Sequence, residues 1–187
     1  MEIDISIATL EKLSPCVGKR QRYTIGVPVE IGHTEQRVGL TPQAVMILVE
    51  AGYNVLVERN AGIKSGFTDT EYSDNGAFIV EREEVFDTEI IFKIAPPTIE
   101  EIGKMRKQAI VFSFAFTRMQ PQDYFTNLIK KKITAVAYDN LQSKNGNLII
   151  MDALCKIVGN ACPLIAGEYF SLANDGYIVG SFGGIPP

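Results

Sequence analysis

Apolar and polar positions change period several times along the chain, and the changes mark out alternating strands and helices. The segment Tyr23 to Val27 alternates and is rich in β-branched residues, the pattern of a strand with one buried face. Thr41 before Pro42 supplies an N-cap and a first-turn proline. Val45, Leu48 and Val49 then form a helical stripe that Gly52 closes. A second strand is expected over Asn54 to Val57, a short helix over Asp69 to Asn75 stopped by Gly76, and a third strand over Ala77 to Val80. Thr88 to Ile94 is a continuous apolar run suited to a strand buried on both faces. Thr98 with Glu101 makes a capping box before a short helix, and Ala109 to Phe114 is another buried strand. A helix over Pro121 to Lys130, a strand over Ile133 to Ala137 and a turn at Asn145-Gly146 follow. Ala153 to Leu172 reads as a long apolar helix interrupted by Pro163. At the two ends, Ile3 to Leu13 has room for an amphipathic turn or two, and Tyr177 to Val179 looks like a new strand.

Strands separated by short helices need crossover connections, so the sheet should be mainly parallel with helices on both faces. The expectation is a doubly wound α/β domain over residues 22–150, preceded by a leader over 1–21. A helix and linker over 151–187 follow, closing in Gly183-Gly184-Ile185-Pro186-Pro187. Ligands of such sheets bind beyond the carboxyl ends of the strands, which directs attention to the loops after Val27, Ile94 and Phe114. No GxGxxG follows a strand, so the usual means of seating a pyrophosphate on a helix N-terminus is missing and this stretch is not expected to hold NAD by itself.

Composition narrows the field further. With 187 residues, 46% of them apolar, the chain can bury a core of ordinary size. A net charge of -4 without a run of five or more like charges argues against nucleic acid or an anionic membrane surface as a partner. The first twenty residues lack the basic start and unbroken apolar core of a signal peptide, and no stretch is expected to approach a membrane span. Three scattered cysteines and one histidine make no metal set and fit a reducing, cytoplasmic setting.

A set of short motifs is more specific. Ile25-Gly26-Val27-Pro28-Val29-Glu30 and Glu35-Gln36-Arg37-Val38-Gly39-Leu40-Thr41-Pro42 resemble the opening of alanine dehydrogenases and transhydrogenase α subunits. Ser65-Gly66-Phe67-Thr68-Asp69, Phe92-Lys93-Ile94-Ala95-Pro96-Pro97, Ile133 to Tyr138 and the closing Gly-Gly-Ile-Pro-Pro extend the resemblance in the same order, over roughly residues 22 to 187. It implies an N-terminal substrate domain, a following domain that binds NAD(H) or NADP(H), a small amino or keto acid as substrate, and a homo-oligomeric parent. The implied activity is reversible oxidative deamination of L-alanine to pyruvate and ammonia. The alternatives are the transhydrogenase branch, which passes hydride between nucleotides with a membrane partner, and a non-catalytic carboxylate-binding paralogue.

The resemblance also assigns candidate residues. Arg37 falls at the family's substrate-carboxylate arginine; without that likeness it reads as a loop arginine bonded to Glu35. The family's pocket lysine and histidine fall at Ala95 and Phe116, and neither residue can carry a proton, which puts alanine oxidation in question. Lys93 is then either a substrate-binding pocket cation or a buried-stem lysine whose head reaches solvent. Arg118 is a weaker cationic substitute. Cys155 falls at a serine that faces the nucleotide, although Cys155 and Cys162, seven residues apart on one helix face, also read as buried structural thiols. His33 could reach the pocket mouth or be solvated, and Tyr138 and Asp139 end a strand on the ligand side. Phe112, Phe114 and Phe116 alternate as one core-facing side of a strand would. Lys130-Lys131-Lys132 suit a helix C-terminus.

Overall fold

The computed structural model describes residues 23–32 and 35–174. Six strands form one parallel sheet: β1 (Thr24–Val27), β2 (Asn54–Glu58), β3 (Phe78–Val80), β4 (Ile90–Phe92), β5 (Ile110–Ser113) and β6 (Thr134–Ala137). Their spatial order is β3-β2-β1-β4-β5-β6, so the order reverses between β1 and β4. That reversal opens a crevice at the carboxyl ends of these two strands, and the expected doubly wound α/β class is correct.

Helices α1 (Pro42–Glu50), α2 (Asp69–Asp74), α3 (Arg82–Phe86), α4 (Ile99–Lys104), α5 (Gln122–Lys131) and α6 (Ile149–Asn174) complete the fold. Their starts follow local chemistry. Thr41 accepts a hydrogen bond from the backbone N–H of Ala44 ahead of Pro42, and Thr68–Glu71 and Thr98–Glu101 form full capping boxes. One core gathers Ile25, Val27, Val45, Val55, Val57 and Tyr72 between the sheet and α1 and α2. A second joins Phe86, Ile91, Met105 and Val111, with Ile102, Tyr124 and Leu128 packed beside it.

Three expectations change. The run Thr88 to Ile94 yields only a three-residue strand: the Thr88 hydroxyl turns back to the Val85 carbonyl at 2.8 Å, and Lys93, whose N–H still donates to the Phe112 carbonyl at 2.8 Å, sends its side chain into a buried ion pair. The segment before it, Arg82–Phe86, is a helix that periodicity did not reveal. Helix α6 starts at Ile149 and runs on through Pro163. Proline removes one backbone bond, the one to residue 159, and that residue is a glycine able to absorb the local adjustment.

Helix α6 also corrects the expectation that no stretch approaches a membrane span. Ile149–Tyr169 is long and apolar enough to cross a bilayer by length and composition, with mean hydropathy 1.6. It carries Asp152, Lys156, Glu168 and Pro163 within that length, and much of it is exposed here. The leader, His33 and Tyr177 to Val179 lie outside the described residues.

Candidate active site

The crevice between β1 and β4 is filled by charge. Glu30, just past β1, is buried and places Oε2 3.1 Å from Lys93 Nζ. Lys93 is 1% exposed and also meets Glu101 Oε1 at 3.1 Å. Arg82 continues the chain, at 2.6 Å from Glu101 and 3.0 Å from Glu58. Backbone groups join the same network: Ile94 N–H donates to Glu30 Oε1 at 2.6 Å and Val29 N–H to Glu58 Oε2 at 2.8 Å. Three carboxylates and two cations therefore alternate across the carboxyl ends of β1, β2 and β4 and the first turns of α3 and α4. Alternation lets each buried charge keep an opposite partner. Lys93 takes neither of the two places open to it from sequence: it does not reach solvent, and its ammonium is taken up by carboxylates instead of facing a ligand.

The accessible site lies one strand over, beyond β5. A cleft of about 570 Å³ is lined by Arg37, Phe114, Phe116 and one stripe of α6, Met151, Leu154, Cys155, Val158, Gly159 and Cys162. Those α6 positions recur at three- and four-residue steps, so a single helix face forms the wall. Arg37 reaches the cleft because its loop folds tightly onto the sheet. Val38 is buried, and a Cβ on Gly39 would collide with the Phe92 carbonyl.

Arg37 is bonded to Glu35, as a loop arginine would be, and it also lines the cleft. Its Nε and one η nitrogen donate to the Glu35 carboxylate at 2.9 and 2.7 Å. Its Cζ also stands 5.9 Å from the Phe114 ring centroid, at the cleft. The hydrogen bond from Arg37 holds the Glu35 carboxyl below the usual carboxylate range, against the raising effect of burial. Two of the five guanidinium N–H donors are engaged by Glu35, which leaves three for a ligand.

Phe116 departs from the alternating strand. It adopts φ 40°, a left-handed conformation rare for a bulky residue, and is 41% exposed. Its ring stacks on Phe114 at 5.4 Å between centroids and 7° between planes. Asp139 fixes this turn: its carboxylate accepts N–H bonds from Ala115 at 2.9 Å and Phe116 at 3.2 Å. Tyr138 packs edge-on against Phe114, and burial raises its phenol above the usual range. Phe112 meanwhile stacks on Phe92, and only Phe114 of the three is buried core.

Other candidates fall outside this constellation. Arg118 lines an adjoining cleft with Asp139 and Asn140, which shares Phe116 and Met151 with the one at Arg37. Ala95 is half-buried, and its N–H approaches Glu30 at 3.4 Å. Cys155 and Cys162 are exposed free thiols at the cleft, a correction to their reading as buried structural groups. Lys131 binds the carbonyls of Gly103 and Met105 and so ties α5 to α4. Sequence reasoning missed Met151, Leu154 and Val158, for which the helical stripe was the available signal, and it missed Glu30 as the partner of Lys93. Among the described residues, β1 runs into Pro28-Val29-Glu30 with no glycine-rich turn, and a carboxylate occupies the crevice. These residues do not fit a dinucleotide pyrophosphate.

Comparison with known proteins agrees with this geometry. A family model described as Alanine dehydrogenase/PNT, N-terminal domain, matches residues 26–158. An alanine dehydrogenase of Staphylococcus haemolyticus is 33% identical over 166 residues, which cover 87% of this chain and 44% of that protein. Alanine dehydrogenase 2 of Staphylococcus aureus is 32% identical over 166 residues with the same coverage. An L-alanine dehydrogenase structure superposes with TM-score 0.76 at 30% identity, over 82% of this chain and 42% of the other. A transhydrogenase from Sinorhizobium meliloti shares the fold, with TM-score 0.59 at 24% identity over 65% and 34% of the two chains. The chain spans less than half the length of the curated relatives it matches. It belongs to the alanine dehydrogenase/PNT family and forms that family's N-terminal domain.

Proposed function

We propose that the chain is the substrate-side domain of a nicotinamide-dependent oxidoreductase that acts on an amino or keto acid, with alanine and pyruvate as the first pair to test. The observation that carries this is Arg37, held at the rim of a cleft beyond the carboxyl ends of the strands with guanidinium donors directed away from Glu35. A planar guanidinium can take a carboxylate through two parallel bonds and so fix the acid's orientation. Ring faces of Phe114 and Phe116 and the α6 stripe would exclude water from the bound acid. NAD(H) or NADP(H) would supply hydride transfer from residues other than those described, with Cys155 on the side where a nucleotide would approach. The same reading makes the protein a cytoplasmic homo-oligomer.

A second reading is supported by the residues at the positions where the family carries its pocket lysine and histidine. By the resemblance, Ala95 and Phe116 stand where the family carries two proton-carrying groups, and Lys93 is sequestered by Glu30 and Glu101. A carboxylate-binding domain without turnover is consistent with that arrangement. Reductive amination of pyruvate by the full-length protein, with ammonia and NADH or NADPH, decides between them. Turnover lost in Arg37→Ala supports the enzyme, whereas carboxylate binding by folded protein without turnover supports the binding domain.

A further inference from the structure

Resting on Arg37 as the carboxylate ligand, we infer that the cleft selects an acid whose side chain is apolar and larger than methyl, an aryl or branched-alkyl 2-oxo or 2-amino acid. Among the described residues, Arg37 is the only charged one lining this cleft, and opposite it stand Phe114, Phe116, Met151, Leu154 and Val158. Among the described residues, no lysine, histidine, amide or hydroxyl lines this cleft to hold a keto oxygen, so the recognition they offer rests on the carboxylate and on apolar contact. At about 570 Å³ the cleft has the dimensions of a site for a ligand well beyond three carbons. A methyl group would leave most of the ring and α6 surfaces in contact with water, and a phenyl or isobutyl group would cover them.

The conformation of Phe116 is a second, independent observation. A phenylalanine at φ 40° is held in a disfavoured backbone state, with its ring 41% exposed and stacked on Phe114. The two N–H bonds to Asp139 impose that state. The fold thus presents an aromatic face at the cleft mouth against the local backbone preference, and an apolar or aromatic side chain is what such a face accommodates.

Calorimetric titration of the protein with pyruvate, phenylpyruvate, 4-methyl-2-oxopentanoate and the neutral phenylacetamide tests this. Phenylpyruvate and the branched acid are expected to bind at least tenfold more tightly than pyruvate. Arg37→Ala should weaken both acids at least tenfold and leave phenylacetamide unchanged. Leu154→Asn, on a half-buried helix position, should shrink the preference over pyruvate to under threefold while circular dichroism stays as in the parent. Equal or tighter binding of pyruvate, equal binding of phenylacetamide, or no binding of any acid would overturn the inference. The underlying oxidoreductase reading fails separately: apolar acids bound with the stated preference but never reduced by the full-length protein would overturn it and leave this inference standing.

Discussion

The carboxylate of Glu30 and the ammonium of Lys93 meet at 3.1 Å in the crevice where the strand order reverses, and both side chains are almost fully buried. A buried charge that loses its partner is costly, about 3–5 kcal/mol in measured cases. Lys93→Met is therefore expected to lower unfolding free energy by about that amount in urea titration, because Glu30 and Glu101 would then face each other without a shared cation. Adding Glu30→Gln removes one stranded charge and keeps an oxygen for the Ile94 N–H. The double variant should be more stable than the sum of the two single changes, and simple additivity would show that the pair is not coupled.

Gly39 determines where Arg37 sits. Its Cα lies so close to the Phe92 carbonyl that any Cβ must push the loop away from β4. Overpacking of this kind costs about 1–3 kcal/mol. Gly39→Ala should therefore lower the unfolding midpoint and, through displacement of Arg37, weaken carboxylate binding. Unchanged affinity in a destabilised variant would show that the loop's path does not control the site.

Asp139 and Phe116 form the other local device. Asp139→Ala leaves the Ala115 and Phe116 N–H groups without their acceptor. Loss of about 1–3 kcal/mol is expected for unpaired, partly buried donors. The turn should then relax out of its left-handed state and move the Phe116 ring from Phe114. Aryl acid affinity should fall in the variant, and Asp139→Asn, which keeps one acceptor oxygen, should retain more of it. Equal affinities in all three proteins would separate Asp139 from the site.

How much of this was legible depends on whether the determining contacts are local. Caps such as Thr41, Thr68 and Thr98 act within three or four residues, so most helix starts could be read directly. Helix α3 escaped because its five residues, Arg82–Phe86, are too few to show a period and begin in charge. Lys93 escaped for the opposite reason. Its partner Glu30 is 63 positions away, and only the juxtaposition of β1 and β4 brings them together. Arg37 stands out by its motif and its bond to Glu35 by proximity, yet the apolar wall facing it is visible only once α6 is placed. Phe112, Phe114 and Phe116 alternate as one core-facing side of a strand would, but Asp139, beyond another strand's end, turns the backbone at Phe116 and leaves its ring exposed.

Alkaline pH offers a measurement that samples both cores and the site. The Tyr72 side chain is fully buried and donates to the Leu40 carbonyl at 2.8 Å; burial raises its pKa to about 12, with the charges of Glu71 and Asp69 adding to the effect. Tyr124 is raised to about 12, chiefly by burial and also by Asp139, and burial raises Tyr138 as well. In the unfolded chain a phenol ionises near pH 10. These neutral phenols therefore contribute stability that is fully present below about pH 10 and is lost as pH rises through the folded values. Phenolate absorbance should show Tyr72, Tyr124 and Tyr138 ionising late, with a steep step as the chain unfolds in base. Tyr72→Phe should remove one proton from that late step and soften the alkaline decline in stability. At neutral pH it should cost about 0.5–1.5 kcal/mol for the hydrogen bond to Leu40. A variant whose alkaline unfolding curve matches that of the parent would show that Tyr72 ionises at the same pH in both states, contrary to its burial.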